Sequence, residues 1–137
     1  MVVATGFFDG VHTGHRLVLE KLVQTALEKG DESMVVTFWP HPRNVLQSDA
    51  RTLRLLSTMD EKKAMIRALG VDHIEVLRFT REFSRMTTEE YLRDIVLGRF
   101  NGRTIVLGYD NRFGRDASTR DEVEAMAAGL GMETVIA

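Results

Sequence analysis

The chain has 137 residues, the size of one domain, and its 44% hydrophobic and 28% charged content suits a globular protein that buries its own core. A formal net charge of −2 removes the electrostatic case for a nucleic-acid or membrane partner, and the lack of cysteine excludes disulfides, thiolate metal sites and cysteine nucleophiles. No apolar run approaches the ~20 residues that span a bilayer, and the first residues lack the basic and apolar regions of a signal peptide, so a cytoplasmic setting is expected.

In chain order, Met1 to Thr5 reads as a buried strand ending at Gly6. Gly14 to Lys29 carries Leu17, Leu19, Leu22, Val23, Ala26 and Leu27 at helical spacing, with Gly30 as its stop. Met34 to Trp39 is a second strand, and Pro40 and Pro42 end it and open an irregular segment to about Thr58. Ser57 or Thr58 is expected to cap a helix over Asp60 to Leu69, with Glu61 completing a capping box and Gly70 ending it. His73 to Phe79 is a third strand. Thr87 or Thr88 caps a helix running through Val96, and Glu89 and Glu90 in its first turn suit a helix start better than a catalytic carboxylate pair. Thr104 to Gly108 is a fourth strand, Tyr109 to Thr119 a polar loop, Arg120 to Leu130 a last helix and Glu133 to Ala137 a last strand.

Strands that alternate with helices predict an α/β fold, a doubly wound parallel five-stranded sheet with helices on both faces. No repeat, low-complexity tract or linker divides the chain. Ligands in such sheets sit at strand carboxyl ends near a topological switch point. Three unusual segments fall at such ends: Gly6 to His15, Pro40 to Leu46 and Gly108 to Gly114.

The first reads Gly6-Phe7-Phe8-Asp9-Gly10-Val11-His12-Thr13-Gly14-His15, between a strand and a helix. A helix start offers unpaired N–H groups and a positive dipole end, which suit phosphate. Gly10 and Gly14 let backbone approach a ligand closely. His12 and His15 put two imidazoles at the same end, each able to donate to a phosphoryl oxygen in a bond worth ~1.5–3 kcal/mol. Two other readings stay open on these residues alone: a turn with solvated histidines, and a zinc site built on His12, His15 and Asp9.

Gly-x-Phe-Asp-Gly-Val-His-x-Gly-His resembles the signature of the His-x-Gly-His nucleotidyltransferases, and its longer form resembles the FMN adenylyltransferase module of prokaryotic FAD synthetases, often fused to a riboflavin kinase. Thr37-Phe38-Trp39-Pro40-His41-Pro42 is similar to that family's Phe-x-Pro-His-Pro segment. Leu56-Ser57, Glu61-Lys62 and Gly70-Val71-Asp72 fall where the family has similar residues. Val106-Leu107-Gly108-Tyr109-Asp110-Asn111-Arg112-Phe113-Gly114 is similar to its Val-Gly-x-Asp/Asn-Phe-x-Phe-Gly segment.

The resemblance implies a Rossmann-like nucleotidyltransferase domain over residues 1–137 and adenylyl transfer from ATP to FMN, giving FAD and pyrophosphate. His12 and His15 would hold the ATP phosphates, with Mg²⁺ bridging them. Gly6, Phe7, Phe8, Asp9, Gly10, Gly14, Gly108 and Asp110 would form the ATP site. Phe38, Pro40, His41, Pro42, Arg43, Val45, Leu46, Tyr91, Arg112 and Phe113 would line the flavin site, although a helical tyrosine such as Tyr91 equally suits a core edge. His73 reads as structural, and Phe79 and Phe83 as core.

The family's later Ser-Ser/Thr-x-Ile-Arg segment is not found. Two readings account for this, a natural chain that continues beyond Ala137 and a degenerate member of the family; Met1 lying directly on the first strand favours the former, and no riboflavin kinase domain is read in these residues. Asn111 stands where an aromatic is common, and the glycine often seen after Phe-Gly is missing from Asp116 to Asp121. Two alternatives accompany the enzyme reading: a non-catalytic nucleotide- or flavin-binding module, and a related nucleotidyltransferase with another phosphorylated acceptor.

Overall fold

The computed structural model describes residues 1–8, 13–39, 49–108 and 118–137; for 13, 14 and 49–58 only the backbone is described. Five strands, β1 (Val2–Thr5), β2 (Ser33–Trp39), β3 (His73–Arg78), β4 (Thr104–Leu107) and β5 (Glu133–Ile136), form one sheet in the order β3-β2-β1-β4-β5. Every neighbouring pair is parallel. The helices are α1 (Thr13–Lys29), α2 (Asp49–Ala68), α3 (Arg81–Ser84), α4 (Thr88–Glu90), a π-helical stretch Tyr91–Leu97 and α5 (Arg120–Gly129). The expected doubly wound architecture is thus the one observed. No helix among the described residues is long and apolar enough to cross a membrane.

The period-2 alternation of β1 divides the core. Val2 and Ala4 pack with Val18, Leu19, Leu22 and Ala26 of α1 and Ile66 of α2. Val3 faces the other way, with Leu92 and Val96 of the π-helical stretch and Val123 and Ala127 of α5. Central strands β1, β2 and β4 are buried on both faces, which is why they read as continuous apolar runs, whereas the edges β3 and β5 are only partly covered.

Three local expectations are revised. The buried stripe of α1 is Val18, Leu19, Leu22, Thr25 and Ala26, while Leu17 and Leu27 are exposed. Positions 18, 19, 22, 25 and 26 follow the i, i+3, i+4, i+7 spacing, and Leu17 and Leu27 fall outside it. Helix α2 begins at Asp49, so Ser57 and Thr58 lie inside it rather than capping it. Leu53, Leu56 and Met59 carry the period backwards from Ile66. Thr80 caps the short α3, which was not expected, by accepting from the Phe83 N–H.

The remaining caps follow from sequence. Thr87 and Glu90 form a reciprocal capping box at α4, and Thr119 and Glu122 form another at α5. Past Glu90 the helix widens: the Gly98 N–H donates to the Arg93 carbonyl five residues back. Gly30 and Gly70, read as helix stops, have φ of +63° and +100°. His73 pairs with Glu32 at the sheet's amino end.

Gly102 precedes β4, where backbone passes close to β1. A Cβ there would lie 2.8 Å from Val3 Cγ2 and Val96 Cγ1 and 3.0 Å from the Val96 carbonyl oxygen. Gly102→Ala is expected to destabilise by ~1–3 kcal/mol through overpacking. Gly129→Ala on α5, where a Cβ meets nothing, should stabilise by ~0.5–1 kcal/mol. Denaturant melts followed by the fluorescence of Trp39, the sole tryptophan, check both.

Candidate active site

The chain winds from β1 through β2 to β3 on one side, then returns to place β4 on the other side of β1. The switch point therefore lies at the carboxyl ends of β1 and β4. Gly6, Phe7 and Phe8 continue from β1 at that point, buried Gly108 follows β4, and Gly14 and His15 lie in the first turn of α1. These six predicted site residues are brought to one end of the sheet.

The geometry of the turn is built residue by residue. The Gly6 N–H still donates to the Val36 carbonyl, at 3.0 Å, extending the β1–β2 ladder. Phe7 sends its ring to the α5 face, where the centroid lies 5.2 Å from Phe38 and 5.9 Å from Phe79. Its carbonyl accepts from the Thr37 hydroxyl at 3.2 Å and from the Lys62 ammonium at 2.5 Å. Phe8 has φ +51°, in the left-handed region. The period-2 alternation carried on from β1 puts its ring on the α1 face, where it is 4% exposed and packs among Val18, Leu19 and Leu22. The same ring stands edge-on to the His15 imidazole at 5.4 Å. Gly6 makes room for it, since a Cβ there would lie 3.3 Å from two Phe8 ring carbons.

On the opposite face, the Tyr91 hydroxyl and Thr5 Oγ1 are hydrogen-bonded at 2.8 Å. Burial pushes the Tyr91 phenol well above its ordinary pKa, and the Thr5 bond opposes this only in part. Tyr91 packs on Phe83 and Phe38, with ring centroids at 6.0 and 6.5 Å. Phe38 and Tyr91, read from the resemblance as flavin contacts, are 6% and 4% exposed. Neither offers an open ring face; they back the partly buried rings of Phe7, Phe79 and Phe83.

Asp9, Gly10 and His12, the run Pro40, His41, Pro42, Arg43, Val45 and Leu46, and Asp110, Arg112 and Phe113 lie outside the described residues. Among the described residues, no group of three or more His, Cys, Asp and Glu side chains is placed to hold a metal. Sequence reasoning assigned no role to Lys62, Thr37 or Thr5. One signal for Lys62 was available: it stands at an inward position of α2, in step with Met59 and Ile66.

The parallel sheet, its strand order and its switch point define a Rossmann-like α/β fold. The chain belongs to the FAD synthetase family, whose sequence profile matches residues 1–137. It is 37% identical over 114 residues to the bifunctional riboflavin kinase/FMN adenylyltransferase of Listeria monocytogenes serovar 1/2a, covering 83% of this chain and 36% of that one. Identity to the protein of the same name from Bacillus subtilis is 34%, with the same coverage. The chain thus spans about a third of the length of these curated relatives. Among solved structures, a Streptococcus pneumoniae protein described as a macrolide-efflux protein superposes with a TM-score of 0.79 at 24% identity, covering 99% of this chain and 45% of that one. A universal stress protein from Archaeoglobus fulgidus gives 0.57 at 14% identity, covering 98% and 90%. At these identities both bear on the fold alone.

Tyr91→Phe removes one partner of the Thr5 hydroxyl and is expected to cost ~1 kcal/mol, about 3–5 °C in melting temperature for a domain of this size. The phenol's pKa is raised in the folded state, so its contribution is full below the unfolded value near ~10 and is lost as pH climbs through the folded value. Alkaline melts should therefore fall more steeply for the parent than for Tyr91→Phe, and phenolate absorbance should show a late titration that the variant lacks.

Proposed function

We propose that the chain transfers an adenylyl group from MgATP to FMN, giving FAD and pyrophosphate. An FMN phosphate oxygen attacks the α-phosphorus of ATP. The bond from that phosphorus to the oxygen bridging to the β-phosphate breaks, and pyrophosphate departs with the electron pair. Such a reaction asks for positioning and charge stabilisation rather than covalent catalysis. Mg²⁺ would arrive with the nucleotide and would supply positive charge to the triphosphate.

The observation that carries this reading is His15 on the first turn of α1 beside the switch point, its imidazole against the ring of left-handed Phe8, in a chain of the FAD synthetase family. His15, with His12 three residues earlier, would donate to phosphate oxygens as charge grows on the leaving group. The amino end of α1 adds its helix dipole. Gly6, Phe7, Phe8, Asp9, Gly10, Gly14, Gly108 and Asp110 would surround the nucleotide. Pro40, His41, Pro42, Arg43, Val45, Leu46, Arg112 and Phe113 would take the flavin, against the aromatic surface that Phe38 and Tyr91 support from beneath. His41 and Arg43 offer donors to the FMN phosphate.

Incubation with MgATP and FMN, followed by chromatography, should yield FAD and pyrophosphate in equal amounts. His12→Ala and His15→Ala should each lower the rate by about 10²–10³-fold while leaving the thermal midpoint nearly unchanged. Binding of both ligands without any product would instead support a binding module, and failure to bind FMN would remove the flavin assignment.

A further inference from the structure

We propose that Lys62 is the positioning residue of the nucleotide turn: its buried ammonium, fixed on the Phe7 carbonyl, sets where the chain leaves β1 and hence where His15 stands. Lys62 is only 8% exposed, and its ammonium is held on the Phe7 carbonyl. It occupies a place on α2 that the helical period reserves for an apolar side chain, between Met59 and Ile66, which are 7% and 0% exposed. Its ammonium donates to a backbone carbonyl fifty-five residues earlier in the chain. That carbonyl belongs to Phe7, next to the residue whose left-handed backbone directs the turn. The Thr37 hydroxyl donates to the same oxygen from β2.

Two elements that follow α1 in sequence therefore grip one peptide group of the turn. Rotation of the Phe7–Phe8 peptide would break both bonds at once. It would also carry the Phe8 ring away from the His15 imidazole that it now meets edge-on. The ammonium acts through the turn and is given no contact with substrate. Its effect on nucleotide affinity rests on the proposed adenylyl-transfer reading; its effect on His15 does not.

The test uses the whole chain and two readouts, the imidazole proton resonances of His15 and the affinity for MgATP. Lys62→Met removes the ammonium at nearly the same volume. It is expected to shift the His15 resonances, as the Phe8 ring current moves, and to weaken MgATP by about tenfold or more. Thr37→Val, which removes the neutral donor, should shift the same resonances less. Val123→Ala, a core truncation on the opposite face, serves as the control: it should lower the melting temperature and leave both readouts alone. Should Lys62→Met not fold, Lys62→Gln is read by the same two measurements. Parental His15 resonances in the Lys62 variant would overturn the proposal, as would shifts no larger than those of Val123→Ala. A parent chain that fails to bind MgATP would sink the adenylyl-transfer reading instead, and the His15 resonances alone would then decide on Lys62.

Discussion

The left-handed backbone of Phe8 is the constraint on which the candidate site depends. A residue with a Cβ enters that region at a cost of ~1–2 kcal/mol, and a bulky one is rarely found there. The surrounding structure outweighs this cost. Burying a phenylalanine ring contributes ~1.5–3 kcal/mol, and the Phe8 ring is almost wholly buried among α1 side chains. Strand alternation divides two consecutive aromatic residues between the two faces of the sheet, Phe7 to the α5 side and Phe8 to the α1 side. A relaxed extended backbone would continue β1 instead of turning into α1. Backbone strain held by well-packed neighbours is how fixed geometry is stored at functional sites.

Polar groups secure the same turn from both faces. Thr5, the last residue of β1, is bonded to Tyr91 beneath it; Phe7, two residues on, is bonded through its carbonyl to Thr37 and Lys62 above. What the lysine supplies that an apolar residue cannot is direction, since its bond to the Phe7 carbonyl favours one orientation of that peptide plane.

The fold was legible because its signals are repetitive. Central strands β1, β2 and β4 are apolar on both faces, and the helices other than the short α3 show their period or their cap, as at Thr87–Glu90 and Thr119–Glu122. The start of α2 was obscured by two hydroxyl residues, Ser57 and Thr58, that resemble a cap but lie mid-helix. At α1 the apolar content was read correctly and the face was not, because Leu17 and Leu27 are apolar yet exposed, while polar Thr25 is buried. That Gly6, Gly14 and His15 fall at one end of the sheet was legible, since strand, turn and helix start are contiguous in sequence. The partners that hold the turn were not. Thr37, Lys62 and Tyr91 lie about thirty to ninety residues from the residues they bind, and only the crossover order of the sheet brings them together.

That distance says how such a site keeps its shape. Bonds from β2, α2 and the π-helical stretch make the turn's geometry a property of the whole sheet. Tyr91 itself still follows the α-helical winding of α4, its N–H donating to the Thr87 carbonyl four residues back. Its phenol reaches Thr5 at the end of β1, with Leu92 and Val96 of the π-helical stretch buried against Val3 of that strand. The end of β1 is thus held from one side by the Tyr91 hydroxyl and from the other by the Lys62 ammonium and the Thr37 hydroxyl.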